Sequence, residues 1–156
     1  MSDLPDSAFD LQEFLPYLLN QAAEAASRGF QDIYRSTYDM SRTQWRVMAN
    51  LGKFGAMTAR DICAISHIEK TKVSRAVAAL ALQGMLARSP SKQDGRAEIL
   101  SLTDQGKAAF DYLGKCAVDY DRALRKQLGA KAAKDLDRVL LAIMATQADL
   151  PSRPDD

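Results

Sequence analysis

Residues 70–75, Lys-Thr-Lys-Val-Ser-Arg, bring cations and hydroxyl groups together in a segment with helical periodicity. On a helix that turns about 100° per residue, Val73, Val77 and Leu80 point in one direction and predict an inner face. The outer and flanking positions are polar or small, namely Lys70, Thr71, Lys72, Ser74, Arg75 and Ala78. Such side chains can bond phosphates and base edges, so the helix is a candidate for entering a DNA major groove.

A short hairpin is predicted directly after this helix. Gly84 provides a helix stop, and the strand-like runs 85–90 and 97–102 flank a turn that contains Asp94-Gly95. A helix with a polar outer face followed by a basic-tipped hairpin is typical of a winged helix-turn-helix. A polar outer face alone is more typical of a solvated surface helix, and it is the hairpin and the preceding helices that favour the DNA-binding interpretation.

Two helix starts precede the candidate recognition helix. Ser41-x-x-Gln44 matches a capping box that opens a helix through Leu51, and Gly52 and Gly55 bracket a turn after it. Thr58 is placed to cap a short helix that ends near Ser66. Three short helices followed by a hairpin give the winged-helix order over residues 41–102.

Long amphipathic segments flank this lobe. Helices are predicted from Pro16 to about Thr37, from Thr103 to about Leu128 and over about 131–148, with more apolar surface than a small winged helix can cover. We therefore expect a mainly α fold with a small β-hairpin wing (α+β). Residues 9–38 and 103–148 would form a homodimerisation domain around the DNA-binding lobe at 41–102, and residues 1–8 and 149–156 would be flexible tails.

Charge is distributed unevenly along the chain. The formal net charge is +1, but residues 41–107 contain eleven Lys or Arg against five acidic residues, a net charge of +6. Residues 1–40 carry a net charge of −5 and residues 108–156 carry none. The positive charge therefore lies in the segment suspected of binding an anionic polymer.

Several functional classes find no support in the sequence. No apolar run approaches the roughly 20 residues that span a bilayer, and the N-terminus has no signal-peptide core, so we expect a cytoplasmic protein without a membrane partner. With His67 as the single histidine, no metal-ligand cluster, no phosphate loop and no nucleophile elbow, we expect neither enzyme activity, nor a cofactor, nor a metal. Cys63 and Cys116 are predicted to be reduced, buried thiols.

The order of these pieces resembles the MarR family of bacterial transcription regulators. The resemblance covers about residues 11–148 and is carried by Trp45, by Thr58-Ala59-Arg60-Asp61-Ile62 and by Lys70-Thr71-Lys72-Val73-Ser74-Arg75. Asp94-Gly95-Arg96 followed by Leu102-Thr103 and Gly106 matches the family's D-x-R wing and L-T-x-x-G sequence. Each piece is weakly specific, whereas their order and spacing are highly specific.

The resemblance implies a triangular homodimer that represses transcription from a pseudo-palindromic operator in double-stranded DNA. The family's wing arginine corresponds to Arg96, which would enter a minor groove or clamp phosphate, and Asp94 would orient it through a charge-assisted hydrogen bond. Lys70 and Lys92 would contact phosphates. His67 is placed at the entry to the recognition helix or facing a phosphate.

Members of the family are commonly released from DNA by a small aromatic or phenolic ligand. Five residues of this chain are candidates for the lining of such a pocket: Tyr17, Asn20, Gln21, Phe30 and Trp45. Aromatic residues at helical spacing are more typical of a core than of a pocket.

Three alternatives stay open: redox control, DNA binding without an effector, and a protein-interaction module that does not bind DNA. Some relatives sense oxidants through a cysteine near the start of the first helix, but no cysteine precedes Cys63 here. The net charge of +6 and the Asp94/Arg96 pair argue against a module without DNA binding.

Overall fold

The computed structural model describes residues 9–146; the predicted tails and residues 147–148 of the last predicted helix lie outside the described residues. The elements in chain order are α1 (Leu15–Tyr38), α2 (Arg42–Phe54), α3 (Ala59–Ser66), α4 (Lys70–Leu82), β1 (Leu86–Pro90), β2 (Glu98–Leu102), α5 (Asp104–Leu128) and α6 (Ala130–Ala145). This is the expected mainly helical fold with a two-stranded wing. The chain divides into two compact units, Met1–Ala117 and Val118–Asp156.

The helix starts of the first unit follow the sequence signals. Ser41 Oγ accepts the Gln44 N–H and the Gln44 side chain accepts the Ser41 N–H, so α2 opens with a complete capping box. Thr58 and Asp61 form the same arrangement at α3. These bonds satisfy amide groups that have no partner within the helix, and they fix where each helix begins.

One predicted turn is wrong. Gly52 lies inside α2, which continues to Phe54 and ends at Gly55 with φ of 85°. A Cβ atom at Gly52 would lie 2.5 Å from the Phe110 ring, so the glycine serves close packing and does not end the helix. The backbone turn falls at Gly55, whose positive φ favours a residue without a side chain.

The core of the first unit lies among α2, α3, α4, the wing and the first half of α5. Its fully buried apolar side chains include Val47, Met48, Ile62, Val73, Leu80, Leu100 and Leu113. A second cluster joins α1 to α2, where the Phe30 and Trp45 rings meet edge to face at 5.3 Å and Tyr34 stacks on Trp45 at 6.2 Å. Burial raises the pKa of Tyr34. This aromatic cluster fixes α1 against the first turns of α2.

The second unit contains the end of α5 and the whole of α6, joined at Gly129, whose φ is 86°. The Arg125 guanidinium bonds Asp121 at 2.8 Å and Asp137 at 2.7 Å, which ties α5 to α6 across this turn. The same guanidinium lowers the pKa of Asp137. Several large apolar side chains of α6 are exposed: Leu136, Val139, Leu141 and Met144.

Candidate DNA-binding surface

The two faces of α4 differ as the periodicity predicts. Val73, Ala76, Val77 and Leu80 are buried, whereas Lys70, Thr71, Lys72, Ser74 and Arg75 are exposed. Within residues 9–146, the cations on this outer face take part in no ion pair. The packed inner stripe therefore holds a row of hydroxyl and cationic groups towards solvent, where they are free to bind an anion.

The start of α4 is built differently from the starts of α2 and α3. Its N-cap residue, Glu69, makes no side-chain capping bond, and its first turn contains no acidic residue and two lysines. Helix N-termini carry partial positive charge and free amide groups, so lysines there add to an attraction for phosphate. His67, which caps α3 with φ of 54°, is exposed just before this turn.

Arg46 and Ser66 anchor the turn between α3 and α4. The Arg46 guanidinium donates a 2.6 Å bond to the backbone carbonyl of Ser66, and the buried Ser66 hydroxyl donates to the Ile62 carbonyl. Because these bonds satisfy carbonyls at the end of α3, the chain leaves that helix in a fixed direction. The first turn of α4 is thereby positioned relative to α2.

The wing presents its basic residues at its tip. β1 and β2 pair antiparallel from Leu86↔Leu102 to Pro90↔Glu98, and Met57 adds one further bridge to Leu100. Lys92 and Arg96 lie exposed in the connecting loop. Arg96 has no ion-pair partner in the part of the chain that the structure describes.

Asp94 acts on the wing backbone in this structure. The expected bond from its carboxylate to the Arg96 guanidinium is replaced by a 3.0 Å bond from the Arg96 backbone N–H to Asp94 Oδ1. The Ala97 N–H also donates to the Asp94 carbonyl at 3.0 Å. A short carboxylate reaches an amide two residues ahead more readily than a guanidinium, so Asp94 shapes the turn and leaves the Arg96 side chain available.

A polar cleft of about 410 Å³ lies between α1, α2 and the start of α4. Its lining residues are Asn20, Ala23, Glu24, Arg42, Thr43, Arg46, His67, Ile68, Glu69 and Lys72. The cleft contains three cationic side chains against two carboxylates, counting His67 as neutral, which leaves an excess of one positive charge. Its volume falls within the range of small-molecule sites, about 300–1,000 Å³.

The structure separates the five residues considered for a ligand pocket. Asn20 lines the cleft, whereas Phe30 and Trp45 pack together in the aromatic cluster. Tyr17 is half-buried, Gln21 is exposed, and neither lines the cleft.

Four charged residues of the cleft had no signal strong enough to be predicted as site residues: Glu24, Arg42, Arg46 and Glu69. Arg42 and Arg46 are four residues apart, so they share one face of α2, and this spacing was the available signal. Glu24 meets Arg42 across 18 positions of sequence, where no local pattern could have indicated the contact. A smaller pocket of about 190 Å³ brings Thr43 and Gln44 beside Lys72 and Arg75.

The two cysteines are free and half-buried, which is less burial than predicted. A hydrogen bond to Cys116 raises the pKa of Tyr112. Among the described residues there is no group of three or more His, Cys, Asp or Glu side chains that could hold a metal ion. No described helix has the length and apolar character needed to cross a membrane.

Comparison with known proteins shows which family this winged helix is similar to. Residues 38–97 match the MarR family model. The chain is 27% identical over 114 residues to the HTH-type transcriptional regulator YwaE of Bacillus subtilis, a match that covers 73% of this chain but only 64% of YwaE. It is 23% identical over 145 residues to the homoprotocatechuate degradative operon repressor of Escherichia coli, covering 90% of this chain and 97% of that protein.

Solved structures of similar proteins have the same fold. A MarR family transcriptional regulator from Silicibacter pomeroyi superimposes with a TM-score of 0.73 at 29% identity, covering 87% of this chain and 98% of that one. A mutant MarR from E. coli complexed with operator DNA superimposes with a TM-score of 0.73 at 21% identity, covering 83% of this chain and 92% of that one. NadR in complex with 4-hydroxyphenylacetate superimposes with a TM-score of 0.72 at 21% identity, covering 97% of this chain and 100% of that one. The chain is therefore similar to MarR family transcriptional regulators, over residues 38–97 by the family model and over most of its length in fold.

Proposed function

We propose that the protein is a homodimeric repressor that binds a pseudo-palindromic operator and is released by a small aromatic acid. The observation that carries the DNA-binding part is the unpaired basic outer face of α4 beside the basic wing tip. Thr71, Ser74 and Arg75 are placed on the helix face that would meet base edges. Lys70, Lys72, Lys92 and His67 would bind phosphates, Arg96 would enter a minor groove, and Asp94 would hold the wing turn.

Dimerisation would cover apolar surface at both ends of the chain. Around the start of α1, Phe9, Leu11, Phe14, Leu15 and Leu18 are 45–60% exposed, and α6 exposes Leu141 and Met144 by 64% and 65%. Exposed apolar side chains at this density mark an interaction site. Residues 9–38 and 103–148 would supply an isologous interface that sets the two α4 helices about 34–36 Å apart, one turn of DNA.

The effector is proposed to occupy the polar cleft. Two relatives have names that connect them to aromatic acids, the homoprotocatechuate degradative operon repressor and NadR in complex with 4-hydroxyphenylacetate. The excess positive charge of the cleft favours an anion of this kind. Lys72 and His67 belong both to the cleft and to the DNA-facing start of α4, so a bound acid would compete directly for groups that hold phosphate.

Fluorescence anisotropy with DNA flanking the protein's own gene tests this function. We expect tight, salt-dependent binding that 4-hydroxyphenylacetate or a related aromatic acid weakens at least tenfold. Binding that only peroxide alters would replace the effector with redox control, and binding that no compound alters would indicate a ligand-independent regulator. No binding at low salt would refute DNA recognition and favour a protein-interaction module.

A further inference from the structure

We propose that Glu24 is an internal competitor for the carboxylate of the effector, and that it thereby sets both the acid selectivity and the response threshold of the cleft. The inference rests on the proposed function, because it assumes that an aromatic acid occupies this cleft. It assigns a specific anchor to the acid, Arg42, and a specific carboxylate that the acid must displace.

Arg42 binds the Glu24 carboxylate within the cleft. Its Nη1 donates to Glu24 Oε2 at 2.5 Å, and its Nη2 donates to Ser27 Oγ at 2.9 Å. Ser27 is fixed in turn, because its hydroxyl donates to the Ala23 carbonyl at 2.7 Å. The guanidinium thus spans from the first residue of α2 to two positions on α1, with the Glu24 carboxylate where a ligand carboxylate would sit.

The Glu24–Arg42 pair is suited to exchange. The Arg42 and Glu24 side chains are 38% and 52% exposed, and ion pairs at such positions contribute little to stability. A planar guanidinium binds carboxylates through two parallel hydrogen bonds, so an incoming acid can reproduce what Glu24 provides. A neutral ligand offers no such replacement and leaves the pair intact.

Displacement of Glu24 would change the connection between α1 and the DNA-binding lobe. Arg42 begins α2, whose Arg46 anchors the turn before α4, so the Glu24–Arg42–Ser27 contacts connect α1 to the element that positions the recognition helix. An acid bound to Arg42 would substitute a mobile ligand for a residue of α1. A ligand shifts a conformational equilibrium only through such a difference in contacts.

Isothermal titration calorimetry without DNA tests the proposal. The probes are 4-hydroxyphenylacetate and 4-hydroxybenzoate with their uncharged amides, titrated into the wild type, Glu24→Gln and Glu69→Gln. Glu69 is a matched control, because it lines the same cleft but forms no ion pair within the described residues. We expect Glu24→Gln to bind the acids about 3- to 10-fold more tightly, with the amides unchanged. Glu69→Gln should change the acid affinity about twofold or less.

The outcomes separate this inference from the proposed function. Equal gains in Glu24→Gln and Glu69→Gln would show a general charge effect and overturn the competition. Acid binding that Glu24→Gln leaves unchanged or weakens would also overturn it, while the effector proposal would stand. If no acid binds to either the wild type or Glu24→Gln, both are refuted. Circular dichroism of each variant verifies that the helices are intact.

Discussion

Helices α3 and α4 are neighbours in the chain but begin in opposite ways. At α3 a complete capping box satisfies the first amides, and bonding to Thr58 lowers the pKa of the Asp61 carboxyl. At α4 the N-cap Glu69 makes no side-chain bond, and Lys70 and Lys72 occupy the first turn. An acid stabilises a helix N-terminus and a lysine does not. The start of α3 is therefore arranged for stability, and the start of α4 is arranged to meet an anion.

This difference separates residues that hold the lobe together from residues that contact a partner. The inner stripe of α4 and the caps of α2 and α3 secure the framework, so the outer face of α4 can keep an unfavourable charge arrangement. Phosphate at the α4 N-terminus would supply the missing negative charge. Substitutions in the framework should alter stability, and substitutions on the outer face or wing should alter operator affinity.

The largest effect on stability is expected from Gly106→Ala. A Cβ atom at Gly106 would lie 2.0 Å from the backbone carbonyl oxygen of Met85, at the base of the wing. The backbone must shift to admit it, which should lower the free energy of unfolding by roughly 1–3 kcal/mol or more. Gly114→Ala is the control, because Gly114 lies on the same helix and no neighbouring atom of residues 9–146 comes within 4 Å of its Cβ position. Urea unfolding should show it unchanged or stabilised by up to about 1 kcal/mol.

Arg96→Ala should lower operator affinity without changing stability. The exposed Arg96 side chain has no ion-pair partner among the described residues, so its removal should leave the unfolding free energy unchanged. Operator affinity should fall by about 1–3 kcal/mol in anisotropy titrations. Arg122→Ala, which removes an arginine from α5, should leave operator affinity unchanged. Equal affinity for Arg96→Ala and wild type would mean that the wing does not reach the DNA.

The smallest changes in stability are expected from substitutions of the N-cap residues of α3 and α4. Thr58→Ala removes a cap and should lower the unfolding free energy by about 0.5–2 kcal/mol. Glu69→Ala removes no side-chain capping bond, so thermal unfolding should be nearly unchanged. A loss of stability in Glu69→Ala as large as that in Thr58→Ala would contradict the contrast between the two helices.

The parts of the structure that could be predicted from sequence depend on local patterns. The capping residues Ser41, Thr58 and Thr103 mark helix starts because each bonds an amide three residues away. The buried stripe of α4 follows from a periodicity of 3.6 residues. The prediction of a turn at Gly52 is wrong because a glycine can allow close packing as well as chain reversal. Only the position of the Phe110 ring in the fold decides between the two.

The cleft could not be predicted because it depends on contacts between distant segments. Glu24 and Arg42 meet only after the aromatic cluster has fixed α1 against α2, and His67 joins them only after Arg46 has fixed the end of α3. Aromatic residue type favoured Phe30 and Trp45 as ligand contacts, but their side chains pack against each other. The hydrogen bond between Asp94 and Arg96 differs from the prediction for a similar reason. The turn geometry brings the Arg96 backbone N–H, and not its guanidinium, within reach of the Asp94 carboxylate.

The central claim is that the start of α4 binds DNA phosphate, and the salt dependence of operator binding tests it most directly. Anisotropy titrations at several salt concentrations should compare the wild type with Lys70→Ala and with Lys115→Ala, a control at an exposed position on α5. We expect Lys70→Ala to weaken binding to all DNA sequences and to reduce the slope of log K against log salt by about one. Lys115→Ala should match the wild type. An unchanged slope for Lys70→Ala would contradict the claim.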